Sequence, residues 1–313
     1  MAFSPPTVAP PVLESGALHR RRRPGARAGW ATAGLLRDPA GRPSALKTVA
    51  LLRVLWPAAA LALRWQMHTL GPRPLTEAIH VAGHWAVRFL LLSLAVTPAR
   101  VVLAWSRPII LRRMLGVTAA CYATAHFCLF IVDHNYNLYK VLIEILSRFY
   151  LTVGYVALLG LLALLVTSTD DWQKSLGARW KKLHKLVFPI AVMVLFHYAV
   201  QSKADVSDAV FLVGLFAWLM FWRAVPRRYQ TKLWPLPAFA LGAGLLAALA
   251  EAGWYMVRNG VNGWMVLQAN LDVTFGPRPA VAVVLVGFGV LALAAARKFL
   301  KRRRLPSGAV RRA

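Results

Sequence analysis

The sequence predicts an all-α integral membrane protein with eight transmembrane helices, and three observations lead there. The chain of 313 residues is 58% hydrophobic, with a mean hydropathy of +0.52. Its apolar residues gather in eight runs of about 20, the length that carries a helix across ~30 Å of hydrocarbon. Its Lys and Arg gather in alternate connections between those runs. Helices satisfy every backbone polar group within lipid, so runs of this kind are read as helices.

The runs cover residues 48–66, 78–97, 109–131, 150–168, 183–201, 207–225, 235–257 and 279–297. The first is the least typical, because it contains Arg53, Pro57 and Arg64. Connection 98–108 carries Arg100 and Arg107, connection 169–182 carries Lys174, Arg179, Lys181 and Lys182, and connection 226–234 carries Arg227, Arg228 and Lys232. Connections 67–77, 132–149, 202–206 and 258–278 are sparse in basic residues or balanced by acids. The positive-inside rule then puts both termini in the cytoplasm. Residues 1–45 are rich in Pro, Gly, Ala and Arg, and the Arg20 to Arg23 run has no apolar segment close behind it. They are read as a disordered basic cytoplasmic tail touching anionic membrane lipid, not as an export signal. Residues 301–313 form a second basic tail. This clustering accounts for the net charge of +27 and sets aside nucleic acid as a partner. Cys121 and Cys128 lie in one run, about 10 Å apart on a helix, too far for a disulfide. They are read as small core residues.

Three histidines fall within apolar runs: His126 in the third, His184 and His197 in the fifth. Ionisable side chains within a membrane are costly and mark functional sites. Counted from the cytoplasmic end, His126 stands ~25 Å up the third helix, and His197 stands ~20 Å above His184. His126 and His197 are therefore at similar depth in the outer leaflet, where two imidazoles can clamp one heme iron from both faces. His184 lies near the cytoplasmic side, level with Arg112. In a regular helix, a thirteen-residue step sets His184 and His197 roughly 140° apart, and Pro189 between them is expected to kink or unwind the helix. The competing reading makes these histidines hydrogen-bonding links between helices. His68, His80 and His84 read as interfacial residues at outer helix ends, with His84 the reserve ligand. His134 and His19 are given no role.

Ordered motifs then carry a resemblance. Arg112-Arg113-Met114-Leu115-Gly116 followed by His126 resembles the RR-x-LG…LH pattern of the MsrQ (YedZ) family. Thr97-Pro98-x-Arg100 is similar to that family's TPxR, and Tyr150-Leu151-Thr152-x-Gly154 to its PYxTxG, with Phe149 in place of the proline. Thr167-Ser168-Thr169 with Leu176-Gly177-x-Arg179-Trp180-x-x-Leu183-His184 is similar to TST…LGxRWxxLH, and His197-Tyr198 with Lys203 to HYxxxxK. The resemblance spans about residues 76–225. It implies a six-helix ferric-reductase-like heme-binding bundle, here followed by two extra C-terminal transmembrane helices. It also implies heme b, an association with FMN, and a multi-pass place in the bacterial inner membrane. The implied partners are a periplasmic molybdenum-cofactor methionine sulfoxide reductase, MsrP, and a quinol or flavin reductase as electron donor. The implied function is electron transfer for repair of oxidised periplasmic proteins, with this chain a redox subunit and not the catalytic one.

The expected division is a tail at 1–45, a heme-binding core at 46–225, a two-helix extension at 226–300 and a tail at 301–313. The expected cofactor and metal residues are His126 and His197 for the outer heme, and His184 for an inner heme or a quinone or flavin. Arg112 is expected beside an anionic group at that inner level, or as a headgroup anchor. Arg148 is expected on a heme propionate, or as an ordinary interfacial arginine. Residues after Arg297 are too few for a nicotinamide domain, which points to a quinol or a separate protein as donor. Glu251, an intramembrane carboxylate in the extension, has no assigned role. Two rival functions stay open: a ferric or other metal reductase with heme b, and a non-redox transporter or scaffold that uses intramembrane histidines.

Overall fold

The structure, a computed structural model, describes residues 44–303 apart from Ala204 and Phe275. The two basic tails expected from the sequence lie outside the described residues except at their inner edges. Eight helices are long and apolar enough to cross a membrane, and no strand occurs among the described residues. The protein is a multi-pass membrane protein. In chain order these helices are α1 (Ala45–Gln66), α2 (Pro74–Val102), α3 (Leu111–Asp133), α5 (Phe149–Val166), a broken helix, α9 (Ser207–Ala224), α11 (Leu236–Asn259) and α13 (Pro279–Arg303). Short helices fill the connections: α4 (Leu138–Ser147), α6 (Asp170–Leu176), α10 (Arg227–Gln230) and α12 (Gly263–Ala269). The broken helix is α7 (Ala178–Leu183), a 3-10 turn at His184–Leu186, and α8 (Val187–Gln201). Pro189 has no N–H to offer the carbonyl four residues earlier, and the turn lies where that bond is missing. The irregularity expected from Pro189 is present.

α2 and α3 pair as one antiparallel hairpin, and α5 and α8 as another. α9 packs on α2 and α8, and α11 and α13 pack on α9 and on each other. α1 is peripheral, with only Val54 and Pro57 buried. Its proline is accommodated by a side chain from α3. The Ala58 N–H donates to the Tyr122 hydroxyl at 3.0 Å, and that hydroxyl donates to the Val54 carbonyl at 2.8 Å. The phenol is thus inserted into the hydrogen-bond ladder of α1 at the proline, which is why a segment containing Pro57 remains one helix.

Two expectations need correction. Cys121 and Cys128 are exposed on the outer face of α3, not core residues; a lipid-facing surface accepts a small apolar side chain as readily as a core does. The connection 132–149, read as a loop, contains α4. Asn137 caps it, its Oδ1 accepting the Lys140 N–H at 3.0 Å. Val141 and Ile145 point inward, while Leu138, Leu142 and Leu146 are exposed. That pattern suits a helix lying along a membrane surface.

Small residues close-pack the C-terminal unit. Ala240, Ala243 and Ala247 are fully buried. A Cβ on Gly214 would stand 2.5 Å from Val283 Cγ2, and one on Gly287 2.5 Å from Ala240 Cβ. Glu251 is completely buried and has two partners: Arg278 Nη2 at 2.8 Å and Asn270 Nδ2 at 2.6 Å. A buried carboxylate is tolerable only with such partners.

Candidate functional site: a histidine pair between two helical hairpins

The two hairpins do not close on each other. Between α2, α3, α5 and α8 lies a cavity of about 500 Å³, with Ile145 of α4 also on its wall. The volume is within the range of cofactor and small-ligand sites. Much of the wall is aliphatic, including Val87, Leu90, Leu158 and Leu161.

His126 and His197 project into this space from α3 and α8, and their ring centres are 6.4 Å apart with planes at 81°. Each ring is braced in the same way. His126 Nδ1 lies 2.8 Å from the Ile79 carbonyl, and His197 Nδ1 lies 2.8 Å from the Tyr150 carbonyl. A carbonyl only accepts, so Nδ1 carries the proton in both rings and Nε2 keeps its lone pair. This is the tautomer that a metal-binding histidine needs, and the carbonyl is the usual kind of brace behind it.

Each ring also lies against a glycine. A Cβ on Gly83 would be 3.0 Å from His126 Nδ1, and a Cβ on Gly154 would be 2.6 Å from His197 Nδ1. Each glycine comes four residues after the bracing carbonyl, one helical turn along the same face. In both cases carbonyl and histidine are 47 residues apart. A shift of 71 residues carries Ile79, Gly83, Ala86, Leu90 and His126 onto Tyr150, Gly154, Ala157, Leu161 and His197. The two hairpins are an internal repeat. The sequence reading overlooked it, although the recurring glycine, alanine, leucine and histidine at one offset could have revealed it.

A polar group borders the cavity beside His197. The Tyr198 hydroxyl donates to Asp208 Oδ2, and Arg88 Nη2 donates to the same oxygen at 2.7 Å. The His84 ring meets Tyr198 edge-on at 5.0 Å and stacks parallel to His80 at 6.4 Å. The sequence reading missed Arg88 and Asp208, although each is a charge within an apolar run, which was the signal to follow.

The other expected site residues lie apart from the pair. His184 does not line the cavity. Its Nδ1 is 3.2 Å from the Trp180 carbonyl, its Nε2 is 3.4 Å from Ser168 Oγ, and its ring stacks on Trp180 at 4.0 Å. Arg112 stands in the first turn of α3, where its carbonyl accepts from Ser93 Oγ at 3.2 Å. Arg148 is half-exposed outside the cavity, with Nε 2.8 Å from Glu144 Oε2 and Nη1 3.4 Å from the Tyr150 hydroxyl. The Tyr150 hydroxyl, with the Glu144 charge behind it, holds the Arg148 guanidinium above its ordinary pKa.

Comparison with known proteins bears on this arrangement. Residues 82–196 match the family described as ferric reductase like transmembrane component. A protein from Xanthomonas oryzae pv. oryzae (strain MAFF 311018) is 37% identical over 190 residues, covering 56% of this chain and 87% of the relative. One from Rhodospirillum rubrum is 38% identical over 192 residues, covering 61% and 90%. One from Xanthomonas campestris pv. campestris (strain 8004) is 36% identical over 192 residues, covering 58% and 87%. Each of the three is named protein-methionine-sulfoxide reductase heme-binding subunit MsrQ. No solved structure matches the chain. With most of each relative's length covered at this identity, and with the ferric-reductase-like region enclosing both hairpins' histidines or ending beside them, the chain belongs to the MsrQ family.

Proposed function

We propose that this protein is the membrane electron-transfer subunit of a methionine sulfoxide reductase system. It would pass respiratory-chain electrons, from a quinol or a flavin reductase, through heme b to a periplasmic molybdenum-containing reductase of the MsrP type. The observation that carries the proposal is the braced His126–His197 pair in its apolar cavity. With ring centres 6.4 Å apart and each Nδ1 committed to a carbonyl, the two Nε2 atoms are the ones that would hold one metal ion between the hairpins. Among the described residues no three His, Cys, Asp or Glu side chains converge. An ion held by this pair therefore needs its other donors from a ligand such as a porphyrin.

Heme, when bound, supplies a one-electron couple near one face of the membrane. The chain's own residues do the rest. His126 and His197 offer Nε2 lone pairs, the Ile79 and Tyr150 carbonyls fix the rings, and Gly83 and Gly154 give them room. The aliphatic part of the wall, with Leu90, Leu158 and Leu161, would shield one side of the group from water. His184 and Arg112 are proposed for the input side, beside a second heme, a quinone or the FMN implied by the resemblance. The orientation proposed is both termini cytoplasmic in a bacterial inner membrane, with residues 46–225 the heme-binding core and 226–300 an extension to it.

A hemochrome spectrum of the purified protein tests the reading. His126→Ala and His197→Ala should each lose low-spin bis-imidazole absorption while still inserting, and unchanged spectra in both would overturn the assignment. Reduced membranes should be reoxidised by a periplasmic molybdenum reductase together with a methionine sulfoxide substrate, and His184→Ala should slow reduction only. The family description favours one second reading, reduction of ferric iron. Reoxidation by ferric chelate that ignores the reductase would establish it.

A further inference from the structure

The cavity wall is uneven in chemistry. On the side of α4 and α5 it presents Ile145, Leu151 and Leu158. On the side where α8 runs into α9 it presents Gln201, Ser202, Lys203, Asp205 and Asp208, facing His80 and His84 of α2. A flat apolar ligand alone has no use for a wet wall, whereas one with an ionised edge does.

The charges on that wall sort themselves. Asp208 is neutralised by Arg88 at 2.7 Å and accepts from Tyr198. Asp205 turns its Oδ1 to the Ser207 N–H at 2.9 Å and lies in the field of Arg278. Lys203 is the one lysine or arginine among the described lining residues, and no ion pair with it is found among the described residues. His80 lines the same cavity as Lys203. The Lys203 backbone is also unusual: its φ of 53° puts a side-chain-bearing residue in the left-handed region, a conformation that clusters at functional sites. Arg148, by contrast, is off the cavity wall and committed to Glu144.

We infer that Lys203, with His80 beside it, takes the carboxylate edge of the macrocycle held between His126 and His197. The inference rests on the heme reading and replaces Arg148, the partner expected from the sequence. A cation here also stabilises the reduced, more negative state of the group relative to the oxidised one.

The test uses the full chain purified with its heme. The variants are Lys203→Asn, whose new side chain tolerates the left-handed backbone, Lys203→Arg and Arg148→Met. Heme content and the ferric–ferrous midpoint are read at fixed pH and ionic strength. Lys203→Asn should move the equilibrium about tenfold toward ferric, a midpoint lower by about 59 mV for one electron. Lys203→Arg should stay near wild type, and so should Arg148→Met. With heme dimethyl ester loaded in place of heme, the retention advantage of wild type over Lys203→Asn should disappear, because the diester has no carboxylate to pair. A wild-type midpoint in Lys203→Asn, a shift in Arg148→Met instead, or a difference in retention between wild type and Lys203→Asn that persists with the diester would each overturn the inference. Wild-type protein that holds no heme at all would remove the underlying functional reading.

Discussion

The two hairpins around the cavity and the C-terminal pair of α11 and α13 use glycine for opposite ends. In the hairpins, Gly83 and Gly154 face imidazole rings and leave room for a side chain that itself faces empty space. In the C-terminal pair, Gly244 and Gly287 face Val284 and Ala240, and Gly214 of the adjoining α9 faces Val283, and the space is closed. The first arrangement gives up packing to create a site. The second supplies packing by bringing backbones together, which is how helices associate where lipid removes the hydrophobic driving force. The two regions should therefore respond differently to added or removed atoms.

The largest effect is expected at Glu251. Glu251→Ala leaves the buried Asn270 amide and the part-exposed Arg278 guanidinium without their carboxylate and opens a void at a completely buried position, at a cost of about 3 kcal/mol. Thermal unfolding in detergent should shift strongly, while protein that remains folded should keep its heme; a heme loss matching the stability loss would mean the two regions are not separable. Next is Gly244→Ala, whose new Cβ would collide with Val284 and stand 3.1 Å from the Ala280 carbonyl. Overpacking of this kind costs ~1–3 kcal/mol, again with the heme spectrum unchanged.

On the cavity side the order of readouts reverses. Gly154→Ala places a methyl 2.6 Å from His197 Nδ1 and displaces the ring from its carbonyl brace. Loss of such a brace should weaken heme retention about tenfold, at a stability cost of about 1 kcal/mol. Gly83→Ala, with a 3.0 Å contact, should retain more heme than Gly154→Ala; the opposite ranking would show that the two faces are not equivalent in the way the repeat suggests. The smallest effect concerns pH. The Ser207 hydroxyl and N–H, aided by Arg278, hold the Asp205 carboxylate below its ordinary value of 3.8. Its support for the start of α9 is therefore complete above that value and lost as pH falls through the lower folded value. Protection of the amides at residues 206–210, taken relative to the intrinsic exchange rate at each pH, should fall in acid below about pH 4, and Asp205→Asn should abolish that pH dependence.

Much of this was legible in the sequence, and the parts that were not have physical reasons. The eight spans stand out because lipid requires length and apolarity of each helix separately. The His126–His197 pairing was legible because helix rise converts residue number into depth. The insertion of Tyr122 at Pro57 was not, because it depends on which helix lies beside α1. α4 was missed because ten residues with a charged Lys140 and Glu144 look like a loop until one face is seen to be apolar. For Arg148 the sequence left two readings open, a propionate partner and an ordinary interfacial arginine, because it gives proximity to Tyr150 but not the direction of a side chain; in the structure Arg148 lies off the cavity wall beside Glu144, and Lys203 lines that wall.

The repeat turns the matched depth of the two histidines into a matter of parity. A unit containing two membrane crossings returns the chain to the side from which it started. Its second copy therefore runs in the same sense as the first, and a residue placed at one height in the first recurs at that height in the second. A unit with an odd number of crossings would be inverted, and its two histidines would stand in opposite leaflets, too far apart to share an ion. Duplicating a single hairpin with one inward histidine is thus sufficient to produce a facing pair, with no separate adjustment of the second ligand.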